Sequence, residues 1–141
     1  KSKNYKVGDK IDLSKTTFGS GSITISNVEI GESFEYPYQY EIDGQTFNSK
    51  YTISSVQGVI LKLDISSEYP LGLNNYTFLD TYAKLKYKVD DKEYVNKAFD
   101  NKTPAKHTEG IYVAVDKNMA KATEIWFEIQ IRNEKYIYKI K

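Results

Sequence analysis

His107 is the single histidine of the chain and the one side chain whose ordinary pKa suits proton transfer near neutral pH. It stands in a polar stretch, 103–110, where Glu109 is the only acid at ligand spacing. A metal site needs more donors than this, and the chain has no cysteine to add. The absence of cysteine also removes thiolate nucleophiles and disulfides. A serine or threonine nucleophile would have to act through this one base, and the G-x-S-x-G turn that presents such a serine is missing. His107 therefore reads as a solvated loop residue. Asp90-Asp91, Asp100-Asn101 and Asp116-Asn118 gather the oxygen ligands that hard cations prefer. None follows the spaced calcium-loop pattern, so they read first as turn formers. A carboxylate pair for glycoside hydrolysis converges only in three dimensions, and no spacing singles one out. The residues thus point to no catalytic group, no metal and no cofactor.

Aromatic residues carry a stronger signal. Tyr36, Tyr38 and Tyr40 alternate before Asp43-Gly44, and Phe47 and Tyr51 follow it in phase. An Asp-Gly pair supplies the two positive φ angles of a type I′ turn, so the pattern predicts a β-hairpin over about 34–53. Centred there, Tyr40 faces Phe47 and Tyr36 faces Tyr51, which puts the aromatic rings on one face. Burial of one face is the default for an antiparallel sheet, which would make this ribbon a core wall. Left exposed, it would be a contact surface, because tyrosine offers a large rigid face with a polar tip. Tyr69, beside Pro70 in a second loop, is a further contact candidate. Codons rich in A and T, which the excess of Lys over Arg also reflects, account for part of the tyrosine count.

The elements that must position these residues read as strands. Val7-Gly8-Asp9 is a turn after a polar lead-in, and 10–13 is a short strand. Ile23 and Ile25 alternate, then the apolar phase slips to Val28 and Ile30, which implies a β-bulge near Ser26-Asn27. Pro37 inside the hairpin makes its strand an edge or a bulged one. Val59, Leu61, Leu63 and Ile65 give a central strand, followed by a loop over 68–75 and a long strand over 76–89. Asp90-Asp91-Lys92 turns the chain back, and 96–110 has no regular pattern. Ile111, Val113 and Val115 form another strand, ahead of a single helical turn capped by Asp116. At the C-terminal end a turn at Asn133-Glu134 would pair Ile131 with Tyr136, Ile129 with Tyr138 and Phe127 with Ile140, and set Glu128 against Lys139. Strands with turns about every ten residues, and no sustained helical period, read as an all-β sandwich or barrel.

Length and charge narrow the classes further. At 141 residues the chain is one domain, spanning 1–141, with ample core. Twenty basic and nineteen acidic groups leave no field for nucleic acid, and Arg132 is the only arginine. No apolar run reaches the ~20 residues that span a bilayer. The first residue is Lys1, which a processed leader would explain.

Tyr5-Lys6-Val7-Gly8-Asp9, the Ile23–Val28 stretch, the Gly58–Ser66 strand, the Ile111–Val115 strand with its Asp116-Lys117 turn, and the 125–140 hairpin together resemble a known family. It is the telokin-like, immunoglobulin-fold domain of unknown function found in Gram-positive lipoproteins and exported proteins. The resemblance implies an immunoglobulin-like antiparallel β-sandwich, extracellular or at the cell surface, with a lipid anchor as one way of holding it there and no catalytic residues to transfer. The aromatic hairpin departs from that family's pattern and looks like an insertion. The expectation is a non-enzymatic domain that binds a protein partner at the envelope, or else cell-wall glycan, through Tyr36, Tyr38, Tyr40, Phe47, Tyr51 and Tyr69.

Overall fold

Two five-stranded sheets face each other, and a two-stranded ribbon folds back over one of them. The computed structural model describes residues 2–141. The first sheet runs in the order β1 (Ser2–Lys6), β12 (Glu134–Lys139), β11 (Glu124–Ile131), β7 (Ala83–Val89), β8 (Lys92–Val95). The second runs β2 (Lys10–Asp12), β3 (Ser22–Gly31), β6 (Gly58–Glu68), β10 (Gly110–Asp116), β9 (Asp100–Asn101). Neighbours are antiparallel except β1, which lies parallel to β12. In this order β3, β6, β10 and β9 stand where strands A, B, E and D do in an immunoglobulin domain, and β12, β11, β7 and β8 stand where G, F, C and C′ do. The protein is an all-β, immunoglobulin-like sandwich. The expected aromatic hairpin, β4 (Ser33–Ile42) and β5 (Gln45–Ser54), is inserted between β3 and β6.

Alternation along the strands builds the core. Ile23 and Ile25, then Val59, Leu61, Leu63 and Ile65, then Ile111, Val113 and Val115 point inward from one sheet. They meet Leu85, Tyr87, Ile125, Phe127, Ile129, Ile131, Tyr136 and Tyr138 from the other. Each such side chain, fully buried, contributes about 1.5–3 kcal/mol before the entropy of ordering is set against it.

The predicted slip in β3 is a register shift between Ile25 and Asn27. Ile25 turns its own N–H and C=O to the other side, toward the start of β2. There Gly8 N–H donates to the carbonyl at 2.8 Å, and Tyr138 reaches across from the opposite sheet to the N–H. Its hydroxyl accepts from the Ile25 N–H at 3.0 Å and donates to the Asp9 carbonyl at 2.6 Å. Tyr5 stacks on the same ring, with centroids 6.1 Å apart and planes inclined by 11°.

Four sequence expectations are corrected. The polar lead-in is a strand, β1, because its backbone completes the free edge of β12. The long strand over 76–89 begins as a helix, α1 (Asn75–Tyr82). Asn74 and Thr77 form a reciprocal capping box at its start, which outweighs the β-propensity of Tyr76 and Thr77. Phe78 and Leu79 then plug one end of the core. The C-terminal hairpin turns at Arg132, which takes φ 52°, so Ile131 pairs with Glu134, Ile129 with Tyr136 and Phe127 with Tyr138. A shift of two residues keeps every apolar side chain on the inner face, which is why alternation alone does not distinguish the two registers. Glu128 consequently meets Lys86 at 2.9 Å and Lys135 at 3.4 Å, while Lys139 pairs with Glu124 at 3.2 Å.

Asp116 is the fourth. It makes no side-chain cap to the 3-10 turn Lys117–Lys121. Its carboxylate accepts instead from Lys97 N at 3.0 Å, Ala98 N at 3.2 Å and the Tyr87 hydroxyl at 3.1 Å. Burial, reinforced by the acceptor Asp116, pushes the Tyr87 hydroxyl up to about 12. Together with Asn96, whose amide oxygen accepts from Asp116 N at 2.7 Å, this carboxylate fastens the irregular 96–99 segment to β10.

Candidate functional site

The hairpin is built as its sequence dictates. Asp43 and Gly44 take φ of 51° and 79°, the signs a type I′ turn demands. Tyr40 pairs with Phe47 and Tyr36 with Tyr51, in the predicted register. Phe34, Tyr36, Tyr38, Tyr40 and Ile42 of β4 share a face with Phe47, Ser49, Tyr51 and Ile53 of β5. The opposite face holds Glu35, Pro37, Gln39 and Glu41 with Thr46, Asn48, Lys50 and Thr52. A kink then bends the ribbon over its own sheet. Between the β3–β6 ladder and the hairpin, one strand spends only Glu32 while the other spends Ser55–Gln57, and the uneven lengths break the ladder.

That bend divides the aromatic face in two. Its base is core: Ile53, Phe34 and Tyr36 pack on Ile60, Tyr112 and Ala114, which lie on the outer face of the second sheet. Tyr36 meets Tyr112 edge-on at 6.2 Å. Covered on both faces, β10 is buried from Gly110 to Val115. Lys62 spans the seam, its Nζ 5.9 Å from the Phe34 ring, 5.8 Å from Tyr112 and 3.4 Å from Glu29. Burial opposes its charge, but Tyr112 and Glu29 outweigh burial and raise its pKa.

Beyond Tyr36 the face leaves the sandwich and stays open. Tyr38, Tyr40, Phe47 and Tyr51 expose 40%, 43%, 38% and 42% of their surface, and Ile42 exposes 54%. The rings form one continuous row of contacts, tilted except at its outer end. Tyr36 to Tyr51 and Tyr51 to Tyr38 are each 5.5 Å, Tyr38 to Tyr40 is 6.2 Å, and Tyr40 lies on Phe47 at 5.5 Å and 20°. Partial burial raises the Tyr51 hydroxyl pKa, helped by Tyr36, Tyr112 and Tyr38. Ile42 belongs to this surface and escaped the sequence reading, although its place two residues after Tyr40 marks it.

Tyr69 stands apart from the ribbon. Its ring stacks on Phe78 at 5.1 Å, its hydroxyl donates to Asn75 Oδ1 at 2.9 Å, and burial drives its pKa upward. It lines a cleft of about 510 Å³ between the start of α1 and the 101–111 segment, with Ser67, Asn75, Tyr76, Thr103 and His107. The capping box at the start of α1 satisfies the N–H groups of Asn74 and Thr77 there.

His107 is the residue the sequence placed least well. Its side chain is only 10% exposed, held against Tyr112 at 5.1 Å and Tyr36 at 5.8 Å. Nδ1 lies 3.1 Å from the Glu109 carboxylate, and Nε2 is buried without a hydrogen-bond partner. Backbone N–H groups of Glu109 and Thr108, with His107 beside them, lower the Glu109 pKa. The imidazole thus packs under the hairpin base, where the chain alone gave no sign that Tyr36 and Tyr112 would enclose it. Asp90 and Asp91 form a second turn with φ of 51° and 63°. Among the described residues no three His, Asp or Glu side chains converge on a point that would hold a metal, and no helix is long and apolar enough to cross a membrane.

No family model matches the chain, and no curated protein matches it. A solved structure of an uncharacterized β-sandwich protein from Clostridium difficile 630 is similar at 14% sequence identity. The likeness covers 100% of this chain and 97% of that one, with a TM-score of 0.49.

Proposed function

We propose that this domain is a non-enzymatic binding module that docks a protein partner on the outer part of the aromatic hairpin. The observation that carries the proposal is the open row of Tyr38, Tyr40, Phe47 and Tyr51 on a ribbon whose base is fixed. A rigid aromatic row costs little side-chain entropy to bury, and each ring seated in a partner pocket is worth about 1–2 kcal/mol. Tyr36 serves as the anchor under this row, and Tyr69 serves the helix and cleft. The envelope is the setting we assign, as an exported or surface-anchored domain of the telokin-like kind.

Cell-wall glycan is the second reading, favoured by the near-parallel Tyr40–Phe47 pair, on which a sugar ring could lie. Sugars also need directional polar partners, and the only polar side chains on this face besides the tyrosine hydroxyls are Ser49 and Gln45. That balance favours protein. A photo-crosslinking residue at Tyr40, used on the intact envelope, should give a discrete protein adduct that Tyr38→Ala abolishes. Retention on purified peptidoglycan or teichoic acid, lost on Tyr38→Ala, would replace this reading with the glycan one.

A further inference from the structure

The hairpin is a sheet of two strands, so each strand has one free edge. A two-residue turn makes Ile42–Gln45 a hydrogen-bonded pair, and the alternation along the ladder then fixes which residues point their N–H and C=O outward. On β4 these are Glu35, Pro37, Gln39 and Glu41; on β5 they are Thr46, Asn48, Lys50 and Thr52. The two edges differ in kind. Pro37 removes a donor from the outer edge of β4, and pairing of two β4 edges about Tyr38 would set Glu35 against Glu41 of the other copy. Proline and like charges of this sort block edge pairing. The β5 edge has neither, and all four of its outward residues are exposed.

We infer that β5 pairs antiparallel with β5 of a second copy about a two-fold axis through Ser49. In that register Asn48 faces Lys50 and Thr46 faces Thr52 of the other copy, in hydrogen-bonded pairs that together form about eight bonds. Ser49 faces itself, and Phe47 faces Tyr51 on the aromatic side. No like charges meet, whereas an axis through Lys50 would set that residue against its own copy. The product is a four-stranded sheet with one aromatic face. Five side chains exposed by 38–54% leave about 450 Å² per copy, taking ~200 Å² for a large apolar side chain. Two copies reach about 900 Å², which is what each side of a standard protein interface contributes. The edge pairing stands independently of what binds the face, while the composite platform rests on the protein-binding reading above.

Sedimentation velocity from about 1 to 500 µM should show a monomer–dimer equilibrium. Asn48→Lys, on an exposed position, sets like charges against Lys50 of the other copy and should weaken the dimer about ten-fold or more, and Asn48→Glu should strengthen it. Asn48→Pro deletes only an outward N–H, as Pro37 does on β4, and should leave a folded monomer by circular dichroism. Because the chain has no cysteine, Ser49→Cys gives one thiol at the axis, where opposed Cα atoms stand ~4.5 Å apart, within disulfide reach. It should oxidise to a covalent dimer, and Thr46→Cys should not. A wild-type monomer at every concentration, or a dimer indifferent to both Asn48→Lys and Asn48→Glu, overturns the inference and leaves the Tyr40 crosslink standing. A missing Tyr40 adduct with the dimer intact overturns only the partner reading.

Discussion

Tyr36 and Tyr40 lie four residues apart on the same strand and the same face, yet the bend of the hairpin gives them opposite roles. Replacing each in turn by alanine tests that division. Tyr36 is half-buried among Tyr51, Tyr112 and His107. Full truncation of a buried aromatic costs about 3–5 kcal/mol, and the exposed fraction of Tyr36 brings this to about 2–3 kcal/mol. Tyr40 is 43% exposed and leans only on Phe47 and Tyr38. Its pair contacts, about 0.5–1.5 kcal/mol, hold the ribbon tip and not the sandwich. Local opening of the tip leaves the global transition alone, so Tyr40→Ala should cost under about 0.5 kcal/mol there. Trp126 is the only tryptophan and sits on β11 of the far sheet, so urea unfolding followed by its fluorescence reports the sandwich alone. Hydrogen exchange should show faster amides over 38–49 in Tyr40→Ala and nowhere else. Equal losses in the two variants would refute the division, because the tip would then be cooperative with the body. A silent Tyr36→Ala would refute it from the other side, since the ribbon would not be clamped at all.

Two further outcomes follow from buried polar groups. Tyr138→Phe removes only a hydroxyl, but strands the Ile25 N–H and Asp9 carbonyl it serves; about 2–3 kcal/mol should be lost in the same urea assay. Glu128 has its pKa lowered below 4.5 by the Lys86 hydrogen bond first, and by the Lys86 and Lys135 charges against burial. A lowered carboxylate pKa stabilises the fold above the ordinary value and loses that contribution as pH falls through the folded value. Glu128→Gln should therefore be about 1 kcal/mol less stable than wild type at pH 7 and equal to it well below pH 4.

The parts legible from the sequence are those in which a local rule and the tertiary fold agree. Asp43-Gly44 demands one turn, and that turn fixes the register of every aromatic pair in the hairpin. The Ile25-to-Val28 slip can only be a bulge once both halves must face the core. The terminal hairpin fails instructively: Arg132, not Asn133, takes the left-handed first turn position, and a two-residue shift costs no burial on the inner face. The α1 helix was hidden by Tyr76, Thr77 and Tyr82, which favour strands, although Asn74 and Thr77 at capping-box spacing carried the signal. Whether the aromatic face is core or surface had no single answer in the sequence. The answer changes along the ribbon, at a bend set by unequal strand lengths that periodicity does not encode. His107 escaped for the same reason, since its surroundings come from β4 and β10, far from it in the chain.

The parallel pairing of β1 with β12, and the reach of Tyr138 back to Asp9 and Ile25, join the two ends of the domain. During synthesis the first strand must therefore wait, unpaired, until the last one has emerged. The 22–68 ribbon is under no such constraint, because within that span β3 pairs with β6 and β4 with β5, and both pairings close through one local turn. Its aromatic face is thus complete before Tyr112 exists to cover its base. On the growing chain the rows later divided between anchor and contact are equally bare, and the order of translation makes β10 their first partner.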